Sequence, residues 1–267
     1  MTTALRGNWG DLTTADFAHL DRARTVAVLP LGAVEQHGPH LPLDTDARIA
    51  EGILAAMWAH LDADLPVLAL PVVRVGTSAE HAAFPGTLSA ADDVLTRYLA
   101  GIGDGVADAG VRKLVLLNAH GGQTQVLDTL ALDLRRRRGM LAVKANYFGF
   151  GVPAELVDDH ELAHGIHGGR VETAMMLHLA PETVRTDRAR RFESLGETLA
   201  ARNRHLQPEG TIGFGWLAQD LNPAGVVGDA AGADAAMGAR LVAHVGRCLA
   251  ELVTETAAFD LANLNGS

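Results

Sequence analysis

The chain has 267 residues, 48% of them hydrophobic, and 32 acidic against 22 basic side chains leave a formal charge of −10. The apolar fraction supports a sizeable core and excludes disorder, and the acidic balance argues against nucleic acid or an anionic membrane as main partner. The single cysteine, Cys248, excludes an internal disulfide and any multi-thiolate metal site. It shares a helical face with Val245, Leu249 and Leu252, the pattern of a buried, inert thiol.

No apolar run reaches the length of a membrane span, and no charged segment followed by an apolar one opens the chain. A cytoplasmic protein without a membrane contact is expected. Taken in chain order, four short apolar runs predict buried strands: Val26 to Leu31, Val67 to Val73, Lys113 to Leu117 and Leu141 to Tyr147. Helical stripes lie between them. Ile49, Ile53 and Met57 form the first, Val94, Tyr98, Ile102 and Val106 the second, and Val126, Leu127, Leu130 and Leu134 the third. The third ends on Arg135 to Arg138, where cations suit the carboxyl end of a helix dipole. A long final helix is expected from about Ala233 to Ala257, carrying Leu241, Val245, Leu249 and Leu252.

Strands alternating with amphipathic helices imply a mostly parallel sheet covered on both faces, hence an α/β protein. No linker, repeat or shift of composition divides the chain, so residues 1–267 read as a single domain. In such sheets ligands bind beyond the carboxyl ends of the strands. Three polar clusters fall there. The stretch "GAVEQHGPHLPLDTDAR", residues 32–48, crowds Glu35, His37, His40, Asp44 and Asp46 after the first strand, stiffened by Pro39 and Pro42. "LNAHGGQ" puts His120 and two glycines after the third strand. "HELAHGIHGGRVETAMML" holds His160, His164 and His167, then Glu172 in the first turn of a helix that stops before Pro181.

Imidazole and carboxylate together are the ligand set of zinc, manganese or iron. In an extended segment Glu35 and His37 point to one side and can reach one centre. Each residue has a bland alternative: Asp46 as a helix N-cap, His120 as a turn histidine, Glu172 as a carboxylate offsetting a helix dipole. Five such coincidences at one edge of one sheet favour the metal site. Ser78 has no nucleophile elbow around it, and Gly121-Gly122 is followed by neither GxGxxG nor GKT. Serine hydrolase and dinucleotide chemistry are therefore disfavoured. Glu80 and His81 suit a pocket wall, a subunit contact or plain structure equally, while His40 and Asp44 suit support of the metal ligands.

"LPLGAVEQHGPHLPLDTD", "EHAAFPGTLS", "LNAHGG", "HGGRVETAMMLHLAPETVR" and "GVVGDAAGADAAMG" resemble the ordered signature segments of the creatininase (creatinine amidohydrolase) family, from about Thr25 to Gly238. The resemblance implies a three-layer α/β/α fold and two divalent ions per chain, Zn2+ or Mn2+ with Fe2+ as a third option. It implies hydrolysis of a small, cyclic amide by a metal-bridging hydroxide. It also implies a homo-oligomer, commonly a hexamer. Carried over by position, Glu35, His37, Asp46 and His120 match the family's metal ligands, with Asp46 bridging both ions. Creatininase itself has a glutamate where this chain has Gly122. Relatives with that glycine have a glutamate in the "VET" segment, which makes Glu172 the fifth ligand here. His167 matches a histidine of proton transfer and is expected to act as general acid.

Between Leu141 and Glu172 the chain has no tryptophan, whereas creatinine is gripped by tryptophans in that segment of the family; a different small amide is expected. Two further readings stay open: a deformylase or peptide-trimming step in cofactor biosynthesis, and a metal-binding module without catalysis.

Overall fold

The computed structural model describes residues 5–264. Five strands make one sheet: β1 (Gly7–Asn8), β2 (Val26–Leu31), β3 (Val67–Ala69), β4 (Lys113–Asn118) and β5 (Leu141–Asn146), in the order β1-β3-β2-β4-β5. All four pairings are parallel. Every residue of β2 and β4 is buried, as central strands covered on both faces must be.

Alternation along the strands divides the core into two layers. Val26 and Val28 of β2, with Val115 and Leu117 of β4, face α1 (Thr45–Met57), α5 (Arg170–Leu179) and α8 (Ala235–Ala258). Ala27, Leu29, Leu31, Leu114 and Leu116 face α2 (Asp92–Asp108) and α3 (Thr124–Arg138) on the other side. This is the α/β/α sandwich. A short α4 (Asp159–His164) precedes α5, and a long excursion carrying β6 (Arg191–Phe192), α6 (Leu195–Ala200), α7 (Ala218–Leu221) and β7 (Gly228–Asp229) separates α5 from α8.

Three expectations are corrected. β3 stops at Ala69 because Pro71 has no N–H to pair; the backbone still follows β2, with Leu70 N donating to Val28 O at 2.9 Å and Val73 N to Pro30 O at 3.0 Å. α2 buries Leu95, Leu99 and Val106, while Val94 and Tyr98 stay 49% and 56% exposed. Both faces of α2 carry apolar residues, and Gly103 decides between them, since only a glycine lets Leu134 of α3 come so close. Cys248 is half-buried rather than buried, with its thiol 3.8 Å from Nε2 of His244.

Candidate metal centre

The polar clusters converge at the carboxyl edge of the sheet. The chain leaving β2 supplies Glu35, Gln36 and His37; that after β3 supplies Thr77, Glu80 and His81; that after β4 supplies His120. Asp46 lies in the first turn of α1, where it caps nothing and turns inward. Gly32 makes this possible. A Cβ there would lie 2.5 Å from the backbone of Ala47, so only a glycine at the strand end lets α1 start against it. Glu172 comes from the first turn of α5, with its Oε2 accepting from Gly168 N at 2.6 Å.

Two donor sets share Asp46. Nδ1 of His120 lies 3.2 Å from Glu35 Oε1 and 3.4 Å from Asp46 Oδ2. Nε2 of His37 lies 3.1 Å from Asp46 Oδ1 and 3.8 Å from Glu172 Oε2. The two carboxylate oxygens of Asp46 thus serve opposite neighbours. Each histidine gives its other N–H to the backbone: His120 Nε2–H donates to Thr77 O at 2.7 Å, and His37 Nδ1–H to Glu35 O at 3.1 Å. That arrangement turns the inner nitrogen of each ring toward the cluster, the nitrogen that a metal-bound imidazole uses once it has given up its proton.

The electrostatics support the same fit. Burial opposes a charge on His37, yet Asp46, Glu172 and Glu35 outweigh it and raise its pKa to about 10. His120 is likewise raised well above its ordinary value, against its burial, by Glu35 and Asp46. Burial pushes the Asp46 carboxyl up, but His37 and His120 hold it far below the usual range. Both oxygens of Glu35, Oδ2 of Asp46 and Nε2 of His37 are buried without a hydrogen bond. Uncompensated buried carboxylates cost several kcal/mol each. The pocket demands positive charge, from protons or from cations, and its imidazole and carboxylate donors suit zinc, manganese or iron.

His167 also reaches the cluster, with Nδ1 3.8 Å from Glu35 Oε1 and its ring 4.3 Å from that of His37. Burial first, then the charge of His37, lowers it to about 4. His160 and His164, grouped with it in the sequence, lie elsewhere. They sit on α4, where His160 pairs with Glu197 at 3.2 Å. Between them Glu161 is buried and accepts from the backbone N–H groups of Arg170 and Asp229 at 2.7 and 2.8 Å. α4 therefore clamps loops together and adds no donor. His40 is a support, as expected: its Nε2 lies 3.0 Å from both Gly168 O and Thr173 Oγ1, steadying the turn that carries Glu172. Asp44 instead points outward to Arg48 and Arg74.

Sequence reasoning undervalued His81, Glu80 and Gln36. Nε2 of His81 stands 3.4 Å from Glu35 Oε1, and its ring lies 4.3 Å from that of His167. The carboxylate of Glu80 fills the space where a side chain at position 122 would be. The available signal was Gly122 itself, whose missing side chain left room for a partner from another loop.

A parallel sheet between helical layers, with histidines and carboxylates gathered at its carboxyl edge, defines an α/β protein with a candidate divalent-metal centre. The family model for creatinine amidohydrolase matches residues 10–253, and the chain belongs to the creatininase family. It is 36% identical to the mycofactocin precursor peptide peptidase of Mycobacterium tuberculosis over 88% of this chain and 86% of that protein. It is 30% identical to the creatinine amidohydrolase of Pseudomonas putida, over 67% of this chain and 74% of that one. Its fold matches that of a creatininase variant of the Zn-Zn type, with a TM-score of 0.73 at 22% identity, covering 94% and 98% of the two chains.

Proposed function

We propose that the chain holds two divalent ions, one on Glu35, Asp46 and His120 and one on His37, Asp46 and Glu172, and hydrolyses the C–N bond of a peptide-type amide. The observation that carries the reading is the division of Asp46, whose Oδ2 faces His120 at 3.4 Å and Oδ1 faces His37 at 3.1 Å. The peptidase relative, similar over nearly the whole of both chains, supports a peptide-type substrate over the small cyclic amide expected from the sequence. The creatinine amidohydrolase relative supports the cyclic amide as second reading, over a shorter match.

When bound, such ions supply an acidified water and a Lewis acid for the carbonyl. The chain's own residues do the rest. His167 is neutral at pH 7, because its pKa lies near 4, and so offers a bare Nδ1 toward the cluster. It accepts a proton from the attacking water first and delivers that proton to the leaving nitrogen second. The acid expected from the sequence thus begins as a base. Exposed Leu206, Ile212 and Leu217 support a homo-oligomer, with the hexamer as the expected form; light scattering reporting the 28.1 kDa monomer would refute it.

The test is elemental analysis of purified protein, with turnover measured on short peptides, lactams, imides and formamides before and after chelation. Metal-free protein whose turnover ignores chelators would overturn the reading. Cleavage of lactams alone would exchange the first substrate class for the second.

A further inference from the structure

Gln36 belongs to no donor set, yet its amide is fully engaged. Oε1 accepts from Gly38 N at 3.0 Å, and Nε2 donates to Gly225 O at 2.6 Å. These two backbone partners fix which end of the amide is which. The second N–H of Nε2 points at Nδ1 of His81, 2.8 Å away. An amide NH2 only donates, so Nδ1 of His81 must accept and the ring proton sits on Nε2. That N–H faces Glu35 Oε1 at 3.4 Å.

The backbone of the same residue fixes the neighbouring ring the other way round. Nε2 of His167 lies 2.9 Å from Gln36 O, a carbonyl that only accepts, so this nitrogen carries the proton. Its approach to Gln36 Nε2 at 3.2 Å pairs two donors and is no hydrogen bond. The bare Nδ1 of His167 then faces Glu35 Oε1 at 3.8 Å. Two neighbouring imidazoles, tilted by 31° with ring centres 4.3 Å apart, therefore turn opposite edges toward the same side of Glu35, His81 an N–H and His167 a lone pair.

We propose that Gln36 is the positioning residue that sets this pair, and that His81 donates a hydrogen bond to the substrate carbonyl oxygen while His167 takes the proton of the water. The inference rests on the amide-hydrolysis reading of the site. The water oxygen bonds to the carbonyl carbon and one of its protons goes to Nδ1 of His167. The C–N bond breaks and that proton passes to the leaving nitrogen, while the other stays with the acid product. His81 keeps its proton throughout.

Long-range 1H–15N correlation spectra of the zinc-loaded protein, labelled at histidine, read ring protons directly. Nε2–H on both His81 and His167 is expected, with Nδ1 of His81 shifted as a hydrogen-bonded acceptor. A Nδ1–H form of His81 overturns the proposal without any variant. Gln36→Met keeps side-chain length but removes the donor. It should erase the Nδ1 acceptor signature of His81, leave His167 unchanged, keep the wild-type metal content, and slow turnover about 10- to 100-fold, as loss of an outer-shell partner does. An unchanged His81 spectrum in Gln36→Met also overturns it. If the spectra are as expected but wild-type protein cleaves no amide, the pair stands as geometry and the hydrolase reading fails instead.

Discussion

Gly122→Ala tests whether His120 is held where the ring now sits. A methyl carbon at 122 overlaps Glu80 Oε1 outright and lies 2.7 Å from His120 Nε2, closer than real Cβ contacts come. Glu80 can swing aside, since its side chain is 18% exposed. His120 cannot, because its Nε2–H is tied to Thr77 O and its Nδ1 faces Glu35 and Asp46. The strain therefore falls on the ring that would bind metal. Overpacking of this kind costs about 1–3 kcal/mol, and at about 1.4 kcal/mol per tenfold change it weakens binding about 5- to 150-fold. Competition with a chromogenic chelator measures the affinity, and a thermal melt of metal-free protein separates loss of fold from loss of metal. Glu80→Ala alone should bind metal within a few-fold of wild type. The double variant Glu80→Ala/Gly122→Ala, freed of the larger overlap, should remain weakened by the contact with His120. Wild-type affinity in Gly122→Ala would refute the placement of His120 as a ligand.

Asp46→Asn should bind little of either ion, because both donor sets draw on the one carboxylate, each through a different oxygen; elemental analysis finding full loading would remove Asp46 as bridge. Glu172→Ala should lose metal together with activity, whereas His167→Ala should keep its metal and lose about 10²- to 10⁴-fold in turnover; the reverse pattern would exchange their roles. Metal loading should acidify a weakly buffered solution. Against its burial, His37 is raised to about 10 by Asp46, Glu172 and Glu35, so it holds a proton at neutral pH that the ion must displace. Affinity should therefore weaken as pH falls, and an affinity constant between about pH 6 and 8 would contradict this linkage.

The sheet and its layers were legible because central parallel strands are continuous apolar runs: β2 occupies the span expected, and β4 and β5 differ by a residue at one end. The face of α2 was not, because apolar residues line both sides and a glycine in α2 chooses between them. At the site, Glu35, His37, Asp46, His120, His167 and Glu172 do gather at one place. His160 and His164 stand about as near to His167 in sequence as Glu172 does, and nothing in periodicity separated them from it. What separates them is α4, a short helix whose role emerges only once Glu161 is seen to accept from two distant backbone amides. His81 was underrated for the opposite reason, since its contacts with Gln36 and His167 bridge segments far apart in the chain.

The excursion between α5 and α8 touches the centre mainly where it comes home. Gly225 O receives the amide of Gln36, and Val227 N donates to His167 O at 2.9 Å. The middle of the excursion, by contrast, exposes Leu206 by 57% and Ile212 by 65%. Such a layout separates what must be kept from what is free to vary. An insertion, deletion or exchange in the outer stretch leaves the returning stretch, and hence the two histidines, in register. Sequence change can then accumulate in the outer stretch while the contacts that hold Gln36 and His167 are kept.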